Sequence, residues 1–232
     1  MSALKLGVPS KGRLQADTMA WFAARGVTLE RTGSDREYAG AVAGVDDVEL
    51  VLLSAGEIPR ELAAGRIHLG VTGQDLVAEK LGGIGTQELA EMGFGFADLI
   101  LAVPVLWEDV ETLDDFDAVA ARFRAEHGLR LRIATKYHNL VRAHLAAAEV
   151  ADYQIVDSQG ATEGTVKNLT AEAIADITSS GETLRANHLK GIGEPILRSQ
   201  ATLFLSETAE WSDAARKALA ELGARCGFDA KL

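Results

Sequence analysis

The sequence contains 232 residues, of which 47% are apolar, and it carries a formal net charge of −11 at pH 7. This length suits one large domain or two small ones, the lack of any run of about 18 apolar residues argues against a membrane span, and the acidic charge argues against nucleic acid as a partner. The N-terminus has no long apolar signal-peptide region and Cys226 is the only cysteine, so we expect a cytoplasmic protein without an internal disulfide.

Short apolar segments alternate with amphipathic ones along the first 97 residues. A strand is predicted at 4–8, and apolar side chains at helical spacing follow it over 14–22. Further strands are predicted at 48–53 and 67–71, each followed by a helix. This β–α order predicts a largely parallel sheet with helices on both faces.

The pattern restarts near residue 98. A strand is predicted at 99–103, and an acidic segment over 108–117 leads into the next helix, which indicates a change of domain. The last third is predicted to return to the first domain through two strand-like segments and a closing amphipathic helix, whose apolar stripe suits a core or an oligomer contact. We therefore predict domain I at 1–97 plus 184–232 and domain II at 98–183.

The most informative segment is the turn between a predicted strand that ends at 175 and a predicted helix at 184–187. A helix start carries unpaired backbone N–H groups and a partial positive charge, which together suit a phosphate. Gly181 lets the backbone approach a ligand closely, and Asp176 is placed to accept hydroxyls such as those of a ribose. The hydroxyl groups that can donate to phosphate oxygens belong to Thr178, Ser179, Ser180 and Thr183. The alternative is an ordinary capped helix start, because serine and threonine are common N-caps.

This segment resembles the signature of the ATP phosphoribosyltransferase family, which catalyses the first step of histidine biosynthesis. The residues that match at the family spacing are Glu163, Ala171, Ile174, Asp176, Ser180, Gly181, Thr183 and Leu184. The chain departs from the signature at Leu169, where the family usually has glycine. In the family this loop holds the 5-phosphate and ribose of phosphoribosyl pyrophosphate (PRPP). The resemblance therefore implies that the stretch from Asp176 to Thr183, Glu182 included, binds the donor.

Two basic regions are candidates for binding the leaving pyrophosphate. Lys11 and Arg13 flank a glycine at the first predicted helix start, where cationic side chains and the helix dipole favour an anion. This stretch resembles the family's Pro-Lys-Gly-Arg segment, whereas the alternative is a plain exposed turn. Arg36, in a polar loop, resembles a family arginine that holds pyrophosphate, although most loop arginines are surface charges. The resemblance thus assigns catalytic roles to Lys11, Arg13 and Arg36. At the position of a second family arginine this chain has Ser54. Arg60 is a candidate to take over the role of that arginine.

Two other strand-to-helix turns resemble family segments that lie beside the nucleotide. Gly73 and Asp75 match a Gly-Ile-Thr-Gly-x-Asp stretch, in which Asp75 would take a ribose hydroxyl or a magnesium-bound water. A plain N-cap by Thr72 or Asp75 is the alternative. Lys136 and Tyr137 match an Ala-Thr-x-Tyr stretch, which implies phosphate contact for Lys136 and base stacking for Tyr137. Without that match, Tyr137 is a half-buried packing residue.

The resemblance implies that N1 of the adenine of ATP attacks C1 of PRPP and expels pyrophosphate. No Ser-His-Asp or Cys-His arrangement in recognisable context offers a nucleophile, and no P-loop motif is present. Catalysis then needs alignment of the reactants and electrostatic support for pyrophosphate. Mg²⁺ is the expected cofactor, bound mainly through substrate phosphates and without a dedicated protein metal site.

The resemblance also implies a bilobal fold like that of the type II periplasmic binding proteins, with two α/β domains, mostly parallel sheets and a cleft between them. Long members of the family add a histidine-binding domain, so we expect a short-form catalytic subunit here. Its expected partner is a regulatory subunit resembling histidyl-tRNA synthetase, in a hetero-oligomer. Two alternatives stay open: a small-molecule binding module without catalysis, and a phosphoribosyltransferase with another base acceptor.

Overall fold

The computed structural model describes residues 3–31, 39–160, 162–230 and 232. The elements, in chain order, are β1 (Leu4–Pro9), α1 (Gly12–Ala23), β2 (Thr28–Arg31), β3 (Ala39–Ala43), β4 (Val48–Leu53), α2 (Ile58–Ala63), β5 (Leu69–Gly73), α3 (Gln74–Leu81), β6 (Thr86–Glu91), β7 (Ala97–Pro104), α4 (Leu113–His127), β8 (Leu131–Thr135), α5 (His138–Ala147), β9 (Tyr153–Asp157), α6 (Gly164–Lys167), β10 (Ala173–Thr178), α7 (Glu182–Ala186), β11 (Leu189–Ser199), β12 (Ala201–Ser206) and α8 (Asp213–Cys226). None of the helices in these ranges is long and apolar enough to cross a membrane.

The chain folds into two compact α/β units. Unit 1 comprises Met1–Gly95 and Gln200–Leu232, and unit 2 comprises Phe96–Ser199. The first crossover lies close to the expected boundary, but the return to unit 1 lies at residue 200 instead of 184. The physical reason is that β11 pairs antiparallel with β7 over 189–192 and again over 197–199, on either side of a register shift, so these backbone hydrogen bonds keep the segment in unit 2.

Unit 1 is built on a seven-stranded sheet in the order β2-β3-β4-β1-β5-β12-β6. The central strand β1 pairs parallel with β4 and β5, whereas the outer pairings are antiparallel. It follows that β1, β2, β4, β5 and β6 run in one direction, and β3 and β12 run in the other. The unit 1 core lies against this sheet, and α8 contributes its apolar stripe to it through Ala215, Leu219 and Leu222.

Unit 2 is built on a five-stranded sheet in the order β11-β7-β10-β8-β9. Here β8 pairs parallel with β9 and β10, and β7 is antiparallel to both of its neighbours. Parallel strands need a crossover between them, and helices α5 and α6 supply it. Ala134, Ile174 and Leu184 share a buried cluster that fixes α7 against the sheet. The expected two-sheet α/β class, with most strands of each sheet running one way, is confirmed.

Candidate functional site

In unit 2, three neighbouring parallel strands end at one edge of the sheet. The strands β10, β8 and β9 lie side by side in register, so Thr178, Thr135 and Asp157 are placed at their carboxyl ends. In α/β sheets, ligands usually bind outside the carboxyl ends of the strands. The loop after β10, which we call the phosphate loop (residues 176–183), begins at this edge.

The phosphate loop is closed by its own side chains and requires a glycine. The Gly181 backbone N–H donates to Oγ1 of Thr178 at 2.9 Å, and the Gly181 carbonyl accepts from the Arg185 N–H at 3.0 Å. Gly181 has φ 68°, in the left-handed region that glycine tolerates best. A Cβ there would also lie 3.1 Å from Nη1 of Arg185. The sequence therefore builds a tight turn whose shape depends on Thr178 and Gly181.

The other hydroxyl groups of the loop face solvent. The exposed hydroxyl side chains are those of Ser179, Ser180 and Thr183, and the carboxylate of Glu182 is exposed beside them. The Oγ of Ser180 accepts only a long hydrogen bond of 3.4 Å, from the Glu182 N–H. A ligand would therefore displace water, and not a strong intramolecular hydrogen bond, when it reaches these hydroxyls.

Asp176 is held in place just before the loop. Its side chain is only 14% exposed, and its Oδ1 accepts a hydrogen bond of 2.8 Å from the Ile177 N–H. The same Oδ1 lies 3.5 Å from Nζ of Lys136, in the turn after β8. Two residues that the sequence assigned to different substrates, Asp176 and Lys136, are thus direct neighbours.

Tyr137 lies in the core. Its side chain is 1% exposed, its N–H donates to Oγ1 of Thr135 at 2.9 Å, and Nζ of Lys136 lies 5.2 Å from the ring centroid. A base could stack on this ring only if the side chain moved out of the core. The structure therefore favours the packing role that the sequence left open for Tyr137.

His138 also lies at this edge of the unit 2 sheet, and no role was predicted for it from the sequence. Its Nε2 lies 3.0 Å from the Thr135 carbonyl oxygen and 3.0 Å from Oδ1 of Asp157. Both atoms are acceptors, so Nε2 carries the proton and ties the end of β8 to the end of β9. The sequence indicates a role for His138 only through its position in the same polar turn as Lys136, because its partner Asp157 is distant in sequence.

Unit 1 gathers three further motifs at one sheet edge. Because β4, β1 and β5 are adjacent and parallel, the turns that follow them share the carboxyl edge of this sheet. Lys11 is the N-cap of α1 without a side-chain capping bond, and both Lys11 and Arg13 are exposed. Gly12 between them has φ 77°. Arg36 lies outside the described residues.

The turn after β5 is built without a capping side chain. Gly73 is the N-cap of α3, and the hydroxyl of Thr72 instead donates to the Ala55 carbonyl at 2.9 Å. Asp75, in the first turn of α3, is only 6% exposed. The hydroxyl of Thr72 therefore does not cap α3, and a ribose or a metal-bound water would meet Asp75 only over a small surface.

Ser54 and Arg60 share a groove of about 530 Å³ on unit 1 that Lys80 also lines. Ser54 donates through its hydroxyl and its N–H to Oε2 of Glu57, at 2.7 and 3.1 Å, and these bonds lower the pKa of the Glu57 carboxyl. Arg60 is exposed and lies 3.5 Å from Oε1 of Glu61. This groove therefore carries two cations near the position where the family arginine is missing.

Within the described ranges, no group of three or more histidine, cysteine, aspartate or glutamate side chains is arranged to hold a metal ion. The carboxylates at the two edges, among them Asp75 in unit 1 and Asp157 and Asp176 in unit 2, do not come together in such a group. A magnesium ion that keeps most of its ligands as water and phosphate oxygens fits such a sparse donor set.

Comparison with known proteins gives concordant results. A family model described as ATP phosphoribosyltransferase matches residues 54–225. The chain is 70% identical over 228 residues to an ATP phosphoribosyltransferase of Cereibacter sphaeroides, covering 97% of this chain and 96% of that protein. It is 49% identical over 227 residues to an ATP phosphoribosyltransferase of Rhodopseudomonas palustris strain BisB18, covering 95% of this chain and 70% of that protein.

Solved structures show the same fold. The ATP phosphoribosyl transferase (HisG:HisZ) complex from Thermotoga maritima contains a chain that matches with a TM-score of 0.72 at 21% identity, covering 97% of this chain and 96% of that one. The binding-protein component of a phosphonate transporter from Pseudomonas aeruginosa matches with a TM-score of 0.52 at 13% identity, covering 97% and 78%. These two likenesses concern the fold alone.

Proposed function

The chain belongs to the ATP phosphoribosyltransferase family, and from that premise we propose which of its residues carry the reaction. It transfers the phosphoribosyl group of PRPP to N1 of ATP, giving phosphoribosyl-ATP and pyrophosphate in the first step of histidine biosynthesis. The observation that carries the assignment of residues is the phosphate loop, in which a glycine turn presents exposed hydroxyl groups at the carboxyl edge of a parallel sheet.

The phosphate loop binds the donor. Backbone N–H groups at the turn and the hydroxyls of Ser179, Ser180 and Thr183 donate to the 5-phosphate, while Thr178 keeps the turn closed. Asp176 accepts the ribose hydroxyls. Two observations support the assignment. The hydroxyl of Ser180 makes only a long hydrogen bond within the protein, and Asp176 is held in a fixed position before the turn.

The cationic turn after β1 supports the leaving pyrophosphate. Lys11 and Arg13 are exposed beside Gly12, and the family resemblance adds Arg36 as a third cation for the same role. Negative charge accumulates on pyrophosphate as the C1–O bond breaks, so cations placed there lower the energy of the transition state more than that of the ground state. Mg²⁺, carried on the substrate phosphates, would neutralise part of the same charge when bound.

The nucleotide is assigned to the turn that contains Gly73 and Asp75 in unit 1. Tyr137 supports its turn from the core, since its ring is buried. Alignment of N1 of the adenine with C1 of the sugar is then the main contribution of the protein, because direct displacement needs no protein nucleophile.

The partner is a regulatory subunit of the kind that resembles histidyl-tRNA synthetase, in a hetero-oligomer. The solved chain with TM-score 0.72 belongs to a complex named HisG:HisZ, which supports this proposal for a chain of the same fold. We expect regulation by histidine to act through that partner.

The test is an assay of the chain with PRPP, ATP and Mg²⁺, with and without the regulatory subunit, that measures phosphoribosyl-ATP and pyrophosphate together. We expect both products in equal amounts. Thr183→Ala and Ser180→Ala should each raise the KM for PRPP by about threefold to tenfold, the effect of losing one hydrogen bond of typical net strength. Thr28→Ala, at an exposed threonine in β2, is the matched control and should leave this KM unchanged.

Two results would contradict the proposal. Binding of PRPP without any product would favour a binding module, and pyrophosphate release with another base but not with ATP would favour a different acceptor. Unchanged donor KM in both loop variants would refute the donor assignment.

A further inference from the structure

Lys136 and Asp176 are joined by the register of the unit 2 sheet. The parallel strands β8 and β10 pair Ile133 with Ala173 and Ala134 with Ile174, a constant offset of 40 residues (173 minus 133). The same offset places Lys136 opposite Asp176, just past the last paired residues. Lys136 lies in the turn directly after β8, where its ammonium group reaches the Asp176 carboxylate.

The contacts of Asp176 with Lys136 and with Ile177 involve the same carboxylate oxygen. Oδ1 of Asp176 meets both Nζ of Lys136, at 3.5 Å, and the backbone N–H of Ile177, at 2.8 Å. With Oδ1 fixed by two donors, the rotation of the carboxylate is restricted and Oδ2 keeps a defined position. Such a fixed acceptor suits a vicinal diol, whose two hydroxyls require acceptors in fixed places.

We propose that Lys136 is a positioning residue for the donor sugar: it holds Asp176 as an oriented acceptor for the ribose hydroxyls of PRPP, and does not itself bind the nucleotide. This inference rests on the proposed donor site at Asp176. It replaces the phosphate contact that the family resemblance implies for Lys136.

Charge balance supports this role over a direct contact with phosphate. The sugar develops positive charge at C1 as pyrophosphate leaves, so an unpaired ammonium near the ribose would oppose the reaction. Because the carboxylate of Asp176 balances its charge, Lys136 adds no net charge beside the ribose. The side chain of Lys136 is also only 35% exposed and lies over the ring of Tyr137, which restricts how far the ammonium can extend.

The experiment compares Lys136→Met, Lys136→Arg, Asp176→Asn and the double variant Lys136→Met/Asp176→Asn, each assembled with the regulatory subunit. Steady-state kinetics measure KM for PRPP and for ATP separately. We expect Lys136→Met to raise the KM for PRPP by about fivefold to twentyfold and to change the KM for ATP by less than about twofold, as for a partly exposed ion pair that orients one substrate. Lys136→Arg should restore the KM for PRPP to within about threefold of the wild type, since it keeps the charge.

The double variant tests whether Lys136 acts through Asp176. If it does, Lys136→Met should add less than about twofold to the KM for PRPP in the Asp176→Asn background, whereas independent roles give multiplied effects. Multiplied effects, or a raised KM for ATP with an unchanged KM for PRPP in Lys136→Met, would overturn the inference and leave the donor site standing. An unchanged KM for PRPP in Asp176→Asn would instead overturn the donor site itself. Direct binding of PRPP, measured by titration calorimetry, gives the same comparison if a variant loses turnover.

Discussion

Arg132 of β8 and Glu172, directly before β10, form a bidentate ion pair. The pair lies at the ends of these strands that are opposite the phosphate loop. Nη2 of Arg132 lies 2.5 Å from Oε1 of Glu172, and Nε and the backbone N–H lie 3.1 and 2.8 Å from Oε2. This pair has the same 40-residue offset as Lys136 and Asp176, so the parallel strands carry one ion pair at each end of their shared face.

The first prediction concerns the acid sensitivity of this pair. Burial alone would raise the pKa of Glu172, but the hydrogen bonds and charge of Arg132 outweigh it and hold the pKa below its usual range. A carboxyl with a depressed pKa stabilises the fold at pH values above its unfolded pKa of about 4.3, and this contribution is lost as the pH falls through the lower folded value. Glu172→Gln should therefore lower the free energy of unfolding by about 1–2 kcal/mol at pH 7, and by less below pH 4.

Urea unfolding at several pH values measures this difference. Glu126→Gln, at an exposed position of α4, is the control and should follow the wild-type curve. A deficit for Glu172→Gln that stays constant from pH 7 to pH 3.5 would refute the ionised-pair explanation.

The second prediction concerns Leu169, where the family signature usually has glycine. Leu169 has φ 57° and is 80% exposed, so it adopts a left-handed conformation without packing in return. Arg132 donates to its carbonyl oxygen at 3.0 Å and helps hold this conformation. A non-glycine residue there costs about 1–2 kcal/mol, part of which is offset because glycine has more freedom in the unfolded chain. Leu169→Gly should therefore raise the free energy of unfolding by about 0.5–1 kcal/mol.

The neighbouring residue provides the matched control. Asn168 has φ −85°, which any residue adopts, so Asn168→Gly gains nothing in the folded state and should lower stability instead. Thermal unfolding of the two variants should move the midpoint in opposite directions. Equal shifts in both would show that strain at Leu169 is not the cause.

The third prediction concerns the closure of the phosphate loop. Thr178→Val keeps the shape of the side chain but removes the oxygen that accepts from the Gly181 N–H, whereas Thr178→Ser keeps it. We expect Thr178→Val to raise the KM for PRPP by about fivefold to thirtyfold with little change in the KM for ATP, and Thr178→Ser to stay within about threefold of the wild type. If valine and serine give the same kinetics, the hydrogen bond does not shape the loop.

Gly181→Ala tests the backbone of the same turn. The substitution places a Cβ at φ 68° and 3.1 Å from Nη1 of Arg185, so the turn must change or the side chain of Arg185 must move. We expect weaker PRPP binding, measured by calorimetry, with a loss of about 1–2 kcal/mol in binding free energy. Gly160→Ala, at a loop glycine whose Cβ would meet no atom within 4 Å, is the control.

Local sequence patterns predict the parts of this molecule that depend on neighbouring residues. The strand and turn around Gly181 are of this kind, since a buried run, a hydroxyl cluster and a glycine lie within ten residues of each other. The position at which the chain returns to unit 1 cannot be predicted in this way. It depends on the pairing of β11 with β7, about 90 residues away, and local periodicity carries no information on such a partner. The burial of Tyr137 and the bond from His138 to Asp157 likewise depend on packing and register.

The last prediction concerns His68, a buried histidine of unit 1. Its Nδ1 accepts the Lys5 N–H at 2.9 Å, and its Nε2 lies 3.1 Å from the Glu210 carbonyl oxygen, so the neutral ring with a proton on Nε2 satisfies both contacts. The ring also packs edge-to-face on Trp211 at 4.8 Å. A second proton on Nδ1 would face the Lys5 N–H, and both donors would then lack an acceptor.

Burial is the largest cause that lowers the pKa of His68; the Glu210 carbonyl opposes it, and the charge of Lys5 adds to it. The unfolded chain therefore takes up the proton first, near the ordinary histidine pKa of about 6.5, while the folded chain resists it. Stability from this contact is complete above that value and is lost as the pH falls from about 6.5 towards the lower folded pKa, with a slope of at most about 1.4 kcal/mol per pH unit.

His68→Asn keeps an acceptor for Lys5 but does not titrate, so the free energy of unfolding of this variant should depend less on pH between 7.5 and 5.5 than that of the wild type. His144, whose pKa is also lowered by burial, adds a slope of the same sign, and His68→Asn/His144→Asn should be flatter still. Urea unfolding at half-unit pH steps measures both slopes. An unchanged slope in His68→Asn would show that the ring is not buried as a neutral acceptor. Only a group that titrates differently in the folded and unfolded states can make the free energy of unfolding depend on pH.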